Sequence, residues 1–298
     1  MPSLTRRSPA KINLLLAITG KRDDGFHDLV SLVTPIEFGD DITVTLKPDG
    51  AGDQLTCNFP GVPTDDSNLA MKALVAFRAA HSFSGSVTID LEKRIPAGAG
   101  LGGGSSNASI VLTAINDLCG KPLSNEQLIE IAATIGSDCP LFLAGRPVVM
   151  RGRGERLDFL PKPAEEVVAD QRIIVFKPNF GVETGWAYGQ MKKHGGWYVG
   201  ADRVEGILAN WLSDPQRVEL PLVNNMQEPA FAKFQGLPAV LELIRERHNL
   251  RCLMSGSGSA CFVLLDGDTD GGKVKKSILE CLGEACFCVE TRTAVLPN

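Results

Sequence analysis

Alternating hydrophobic and polar positions predict a β-sheet in the first half of the chain. Residues 42–47 alternate strictly, and residues 8–18 form a longer, mostly apolar strand. A further strand has one apolar face, formed by Val87, Ile89 and Leu91. Period-two alternation is typical of a strand with one buried face, so the N-terminal half is predicted to contain a sheet.

Apolar residues at helical spacing predict helices in the same half. The first runs from 66 to about 80, with Asp66 and Ser67 as its candidate cap. The second runs from about 105 to 118 and is stopped by the glycine and proline that follow. A third begins with the capping-box pattern Ser-Asn-Glu-Gln at 124–127 and ends at Gly136.

The second half of the chain repeats this alternation after a change in composition. Residues 161–169 are rich in proline and acidic residues, which predicts a boundary between domains 1–162 and 163–298. A strand is then expected at 173–176. Further helices are expected near 184–193, 203–212, 228–234 and 238–248, and strands near 251–254, 260–265 and 286–294, with a helix between the last two. We therefore predict an α+β protein of two layered domains.

Composition narrows the class of protein further. The net charge of the 298 residues is −5 and the basic residues are scattered, so no basic face for nucleic acid is expected. The eight cysteines form no CxxC pair and no zinc-binding spacing, which favours free thiols in a reducing compartment. No apolar stretch approaches the roughly 20 residues of a membrane span. We expect a cytoplasmic protein, monomeric or weakly dimeric, that binds neither nucleic acid nor membrane.

The glycine-rich segment, residues 96–109, is the main candidate for chemistry. It places five glycines within seven residues between a predicted strand and a predicted helix. Glycine loses the most conformational freedom on folding, so such a run indicates backbone with positive φ or a closely approached ligand. A loop that leads into a helix N-terminus presents free N–H groups and the positive end of the helix dipole. A phosphate group is the expected ligand.

Other interpretations of the glycine-rich segment fit less well. Gly98, Gly100 and Gly103 match a Rossmann fingerprint, but a second helix follows where a strand with an acidic residue is required. A Walker A loop would need Gly-Lys-Ser/Thr, and a protein kinase would need His-Arg-Asp and Asp-Phe-Gly motifs. A flexible turn is the remaining alternative. The Ser-Ser-Asn sequence and the periodic helix that follow favour a binding loop.

The segment resembles the phosphate loop of the GHMP kinases, the superfamily of homoserine, mevalonate and galactose kinases. That loop has the form Pro-x-x-x-Gly-Leu-Gly-Ser/Gly-Ser-Ser. The resemblance extends over nearly the whole chain and is closest to kinases of the non-mevalonate isoprenoid pathway. Its other matches lie at residues 10–14, 25–28, 67–69, 136–140, 224–229 and 254–260.

The resemblance implies a fold and a reaction. GHMP kinases join an N-terminal α/β domain to a C-terminal ferredoxin-like α/β domain, and their substrates meet in the cleft between the domains. By resemblance, ATP with Mg²⁺ would phosphorylate the 2-hydroxyl of a cytidine-diphosphate-linked methylerythritol, a small-molecule partner. The ATP-binding residues would be Pro96, Gly98, Gly100, Leu101, Gly102, Gly103, Gly104, Ser105 and Ser106.

Asp138 and Lys11 are the candidate catalytic residues. Asp138 lies between Gly136 and Pro140, where a turn or N-cap aspartate is the ordinary interpretation, and the resemblance favours a catalytic base. Lys11 lies inside an apolar strand, where an unpaired ammonium is costly to bury. It either reaches solvent at the strand end or pairs with Asp138, which would keep the carboxylate ionised.

A second group of residues is expected to bind the alcohol substrate. Asn13 faces the same side of its strand as Lys11, and a packing role is the alternative. Phe26 and His27 offer an aromatic face and a hydrogen-bonding edge suited to a pyrimidine, unless the ring is buried and the histidine lies at the surface. Tyr188 would stack on the opposite face of the base, with Trp186 as the alternative.

Three further expectations concern ATP. The hydroxyl of Ser106 is the candidate Mg²⁺ ligand. Asn68 is expected on the adenine side. Residues 255–259, Ser-Gly-Ser-Gly-Ser, form a second glycine turn that either closes over the phosphates or is a simple β-turn.

Two other functions remain open at this point. Another GHMP kinase, such as homoserine kinase, is disfavoured by Gly-Phe-His at 25–27 and by Gly-Gly-Gly-Ser-Ser-Asn at 102–107. A non-catalytic nucleotide-binding protein on the same fold is disfavoured by the presence of both Lys11 and Asp138.

Overall fold

The computed structural model describes residues 1–48 and 52–296, and within them the chain forms two β-sheets with helices packed on them. The strands are β1 (Ser3–Lys21), β2 (His27–Lys47), β3 (Gln54–Cys57), β4 (Ser86–Glu92), β5 (Val148–Gly152), β6 (Arg156–Phe159), β7 (Arg172–Lys177), β8 (Val223–Asn224), β9 (Cys252–Met254), β10 (Cys261–Leu264) and β11 (Phe287–Arg292). The helices are α1 (Leu69–Ala80), α2 (Gly103–Leu118), α3 (Asn125–Ile135), α4 (Cys139–Ala144), α5 (Lys162–Val168), α6 (Thr184–Lys193), α7 (Ala201–Ser213), α8 (Gln227–Lys233), α9 (Gly236–His248) and α10 (Gly271–Leu282).

The first sheet is built on a long antiparallel hairpin of β1 and β2. Its strands lie in the order β3-β4-β2-β1-β8, and β5 pairs with β2 and with β6. The register of β1 against β2 shifts between Pro9 and Lys11 and again between Asn13 and Leu15. Such irregularities redirect side chains locally, and here they flank two of the predicted site residues.

The second sheet is antiparallel, in the order β11-β7-β10-β9. Alternate residues of β7 belong to different cores, as period two requires. Ile174 and Phe176 pack in a core with residues of α9 and α10. Ile173 and Val175 pack in a second core that also contains Ile12 of β1. This shared core joins the two halves of the molecule, and it brings β1 beside the second sheet.

The predicted two-domain α+β fold is confirmed, with corrections at several element ends. Helix α2 begins at Gly103 rather than about 105. The cap of α1 is Asn68 rather than Asp66 or Ser67, because the Asn68 side chain accepts a hydrogen bond from the Ala70 N–H. Residues 161–169 were expected to be a proline-rich boundary segment. They instead contain α5, which begins at the two prolines and buries Glu165 against Arg146.

The division into residues 1–162 and 163–298 stays a prediction. Strand β8 comes from the second part of the sequence and pairs in parallel with β1 of the first sheet. No helix within the described ranges 1–48 and 52–296 is long and apolar enough to cross a membrane.

Candidate active site

A cavity of about 810 Å³ lies where β1, the glycine-rich segment and the second glycine turn meet. Its wall includes Lys11, Gly100, Asp138, Tyr188 and Ser257, which come from both halves of the chain. The volume falls within the range of cavities that hold small-molecule ligands.

The glycine-rich segment has the backbone conformation that its composition predicts. Gly98, Gly100 and Gly102 have φ values of 60°, 77° and 70°, in the left-handed region that side chains disfavour. The 16-residue helix α2 then begins without a side-chain cap, and its first residues line the cavity. Its uncapped N–H groups and its dipole make this end of the cavity suitable for an anion.

A buried aspartate fixes both ends of the glycine-rich segment. The Asp40 carboxylate is fully buried and accepts hydrogen bonds from the backbone N–H groups of Arg94 and Ile95, each at 2.7 Å. It also accepts from the Asn107 amide at 2.9 Å and pairs with the Lys93 ammonium. Lys93 lines the cavity, so Asp40 holds both a cation and the start of α2 in place.

The second glycine turn packs directly against the glycine-rich segment. The Ala260 N–H donates to the Ala99 carbonyl at 3.0 Å, and the Ser255 hydroxyl donates to the Gly100 carbonyl at 3.3 Å. A Cβ atom on Gly256 would lie 2.8 Å from the Gly100 carbonyl oxygen. Glycine is therefore required at this contact because the two backbones touch.

Lys11, Asn13 and Asp138 form a charged cluster on the cavity wall. Lys11 Nζ donates to Asn13 Oδ1 at 2.6 Å and lies 3.8 Å from Asp138 Oδ2. The expected pairing of Lys11 with Asp138 is thus present, and the two strand residues do face the same side. Burial lowers the pKa of Lys11, and the nearby Asp138 carboxylate offsets part of this effect.

The Asp138 side chain is available for chemistry. It occupies the N-cap position of α4 but makes no capping hydrogen bond, and 38% of the side chain is exposed. Tyr188 lines the same cavity, and burial together with the Asp138 charge raises the pKa of Tyr188 to about 12. The carboxylate therefore lies close to Lys11, in a cavity that also contains an aromatic ring.

An aromatic group, formed by Phe26, His27 and Tyr188, lines the same cavity as the cluster of Lys11, Asn13 and Asp138. The His27 ring centroid lies 4.8 Å from that of Tyr188, and Phe26 is half exposed beside it in sequence. The Arg153 guanidinium lies 4.6 Å from the centre of the Phe26 ring. All four residues line the cavity, so the structure brings together the predicted pyrimidine-binding residues and adds a cation.

Comparisons with known proteins agree with this geometry. The chain matches the GHMP kinases N terminal domain at residues 68–146 and the GHMP kinases C terminal domain at residues 205–283. It is 40% identical to a 4-diphosphocytidyl-2-C-methyl-D-erythritol kinase of Methylacidiphilum infernorum, over 86% of this chain and 84% of that protein. A Geobacter metallireducens protein of the same name is 33% identical over 93% and 95% of the two chains. This chain belongs to the 4-diphosphocytidyl-2-C-methyl-D-erythritol kinase family.

Solved structures support membership of this kinase family. A crystal structure of 4-(cytidine 5'-diphospho)-2C-methyl-D-erythritol kinase superposes with a TM-score of 0.76 at 34% identity, and covers 98% of this chain and 99% of its own. Homoserine kinase from Cytophaga hutchinsonii gives a TM-score of 0.71 at 17% identity, which shows the fold alone. The chain is thus an ATP-dependent small-molecule kinase of the GHMP fold.

Some predicted residues of this kinase lie away from the cavity or have other partners. The Ser106 hydroxyl is fully buried and accepts a hydrogen bond from Ser8 at 2.8 Å, whereas Ser105 lines the cavity. Asn68 lines the cavity, but its side chain caps α1 and also donates to the Pro63 carbonyl. Tyr188 rather than Trp186 is on the cavity wall. The roles assigned to Ser106 and Asn68 stay predictions.

Sequence reasoning missed several residues that shape the site. Lys93 could have been noticed, because the basic pair Lys93 and Arg94 lies one residue before the glycine-rich segment. Asp40, Arg153 and Tyr198 carry no motif, and their partners in the site lie far away in sequence. Only the folded chain brings Arg153 to the cavity, and Asp40 and Tyr198 to residues that line it.

Proposed function

We propose that this chain transfers the γ-phosphoryl group of ATP to the 2-hydroxyl of 4-diphosphocytidyl-2-C-methyl-D-erythritol, in the non-mevalonate route to isoprenoid precursors. The observation that carries the proposal is that Asp138 lines the 810 Å³ cavity and lies beside Lys11. The same cavity is lined by the uncapped end of α2 and by Tyr188 and His27. An alcohol whose pyrimidine binds the aromatic group would present its hydroxyl between Asp138 and the phosphates.

Phosphoryl transfer needs positioning and charge stabilisation more than covalent catalysis. Asp138 accepts the proton of the 2-hydroxyl while the oxygen bonds to the γ-phosphorus and the bond to the ADP oxygen breaks. Lys11 pairs with that carboxylate and stabilises negative charge on the transferring group. Asn13 fixes the Lys11 ammonium and is itself held by Ser31, to which its amide donates at 2.9 Å.

The cavity wall fits ATP with its magnesium ion. Mg²⁺ prefers a few oxygen ligands and retains water, so a dedicated cluster of acidic residues is not required. Among the residues that line the cavity, the Ser105 hydroxyl and the Asp138 carboxylate are oxygen ligands that could contact the ion. The ion would neutralise charge on the phosphates. A role for Ser106 would require its hydroxyl to leave Ser8.

We also propose a cytoplasmic location and a monomeric or weakly dimeric state, with no nucleic acid or membrane partner. All eight cysteines are free thiols in the structure, which suits a reducing compartment. Burial raises the pKa of both Cys139 and Cys252 to about 11, so these thiols are poor nucleophiles at neutral pH.

The proposed substrate is tested by nucleotide protection and by specificity. Cytidine diphosphate should raise the unfolding temperature more than uridine diphosphate does, because only the matching base satisfies the polar groups of the site. The His27→Ala variant should lose preference for the cytidine compound over its uridine counterpart. A panel of alcohols with radiolabelled ATP separates this activity from that of homoserine kinase. Equal protection by both diphosphates, with wild-type specificity in His27→Ala, would point to a GHMP kinase for another alcohol.

A further inference from the structure

The two ring nitrogens of His27 have different surroundings. Nε2 lies 3.1 Å from the Tyr198 hydroxyl oxygen, within hydrogen-bonding distance. For Nδ1, the described residues 1–48 and 52–296 supply no hydrogen-bond partner. His27 lines the cavity and Tyr198 does not, so Tyr198 contacts the histidine from outside the cavity. Nδ1 is the nitrogen left for a ligand.

The backbone on both sides of Tyr198 is fixed to β1. The Trp197 carbonyl accepts from the Asn225 amide at 2.9 Å, and the Val199 N–H donates to the Ile18 carbonyl at 3.2 Å. Asn225 in turn bonds both the N–H and the carbonyl of Ile18. The backbone that carries the Tyr198 side chain is therefore fixed to β1, the strand that pairs with the strand of His27.

This contact determines which nitrogen carries the proton. Burial and the charge of Lys21 lower the pKa of His27, so the ring is neutral near pH 7 and has one N–H. A phenol is a better hydrogen-bond donor than a neutral imidazole N–H, and an imidazole lone pair is a better acceptor than a phenolic oxygen. The Tyr198 O–H accordingly donates to Nε2, which leaves the proton on Nδ1.

We infer that Tyr198 is a positioning residue that fixes the His27 proton on Nδ1 and thereby sets the preference for cytosine over uracil. The inference rests on the proposed function. Cytosine has an unprotonated N3, which accepts a hydrogen bond from Nδ1–H. Uracil carries a proton on N3, so two donors would face each other and both would lose their partners. Tyr198 acts only through His27.

The tautomer can be measured without substrate. Selective ¹⁵N labelling of histidine in the intact protein, with His27→Gln to assign its signals among the four histidines, should show a protonated Nδ1 and an unprotonated Nε2. The Tyr198→Phe variant removes the hydroxyl and keeps the ring, and its His27 should shift towards the Nε2–H form. A protonated Nε2 in the wild-type protein would overturn the inference, even if Tyr198→Phe does not fold.

Specificity is measured in the same variants by calorimetric titration with cytidine diphosphate and uridine diphosphate. The ratio of the two affinities should fall by about tenfold in Tyr198→Phe, as expected for the loss of one oriented hydrogen bond. Ser213→Ala is the control for the loss of a hydroxyl. Ser213 is exposed at the end of α7 and does not line the cavity, and its hydroxyl donates to the Asn210 carbonyl, so the ratio should be kept.

The outcomes separate this inference from the proposed function. If the wild-type protein prefers cytidine diphosphate and Tyr198→Phe retains both the preference and the tautomer, the role of Tyr198 is wrong and the proposed function stands. If the wild-type protein binds both diphosphates equally, the cytidine substrate is wrong and the inference fails with it. A fall in the ratio in Tyr198→Phe together with the tautomer shift supports the inference.

Discussion

At the scale of single residues, Lys11 and Asp138 differ in their access to water. The Lys11 side chain is 6% exposed and Asp138 is 38% exposed, so the ammonium bears most of the cost of desolvation. Asn13 and Asp138 compensate the ammonium, whereas the carboxylate keeps one side open to the cavity. This asymmetry suits a base that must contact a substrate and a cation that must stay fixed.

Asp138→Asn tests the base. The amide keeps the size of the side chain but accepts no proton, so the turnover number should fall by about 10²-fold or more while ATP affinity changes little. Steady-state kinetics and ATP titration measure the two quantities. Asp158→Asn, at an exposed position of β6 outside the cavity, controls for the loss of a carboxylate. Near-normal turnover in a folded Asp138→Asn enzyme would remove Asp138 from the mechanism.

The buried ammonium predicts a pH dependence of stability. The pKa of Lys11 is lower in the folded protein than its ordinary 10.5, so between the two values the unfolded chain binds more protons. Stability contributed by this group therefore rises with pH through that window. In Lys11→Met this contribution is absent, so the unfolding temperature of wild type relative to the variant should increase as pH approaches 10.5. Lys72→Met, at an exposed position of α1, controls for the loss of a lysine. If the unfolding temperature of wild type relative to Lys11→Met instead decreases as pH rises, the lowered pKa of Lys11 is contradicted.

The partner of a side chain was predictable where that side chain did not suit its own segment. A lysine inside an apolar strand needed a partner, and the structure provides Asp138. Tyr198 was not predictable, because its contact with His27 spans 171 residues and neither segment carries a pattern that requires the other. Ser106 was expected to reach the metal, but its hydroxyl is buried and bonded to Ser8. Its neighbour Ser105 lines the cavity instead.

At the scale of elements, the glycine-rich segment and the first turn of α2 form the proposed anion-binding end of the cavity. Its position depends on Asp40, which bonds the backbone before the segment and Asn107 within α2. The glycine run and the helix after it predicted the loop. The anchoring residue was not predictable, because Asp40 lies in β2, more than fifty residues earlier in the chain.

Gly103→Val tests this element. A Cβ at Gly103 would lie 2.9 Å from Lys93 Nζ and 3.1 Å from Ile95 Cγ2, so the substitution displaces the cation beside the helix N-terminus and crowds the core. The KM for ATP should rise by about tenfold or more, a loss of ~1.4 kcal/mol, with a smaller effect on the alcohol substrate. Initial-rate measurements with each substrate varied provide the comparison.

A second glycine of the same turn controls for folding. A Cβ at Gly104 would meet Leu69 Cδ1 at 3.5 Å, an ordinary contact, and alanine favours a helix. Gly104→Ala should therefore unfold at or above the wild-type temperature. If Gly103→Val weakens both substrates equally and also unfolds at lower temperature, the effect is on folding rather than on the phosphates.

At the scale of the whole molecule, the cavity depends on contact between segments from both halves of the chain. The alternation of helices and strands predicted two layered domains. It did not predict that β1 and β7 share a core, or that β8 pairs with β1. Both contacts join segments that lie far apart in the sequence. The second glycine turn illustrates the same limit. It joins β9 to β10 as a turn and lines the cavity, and its closure over the phosphates stays a prediction.

Gly256→Ala tests whether this contact between the two halves supports ATP binding. Gly256 has a φ of 59°, which costs an alanine about 1–2 kcal/mol, and its Cβ would lie 2.8 Å from the Gly100 carbonyl oxygen. The second glycine turn must then move away from the glycine-rich segment. The variant should unfold at lower temperature and bind ATP more weakly, with the larger loss in ATP affinity than in cytidine diphosphate affinity.

Gly206→Ala is the matched control for that experiment. Gly206 lies within α7, and an added Cβ would have no atom within 4 Å, so the same substitution should stabilise the helix by about 0.5–1 kcal/mol. Thermal unfolding and titration with each nucleotide compare the two variants directly. If Gly256→Ala loses stability but keeps wild-type ATP affinity, the contact holds the halves together without shaping the phosphate site. If Gly256→Ala keeps both its stability and its ATP affinity, the contact between the two glycine segments supports neither property.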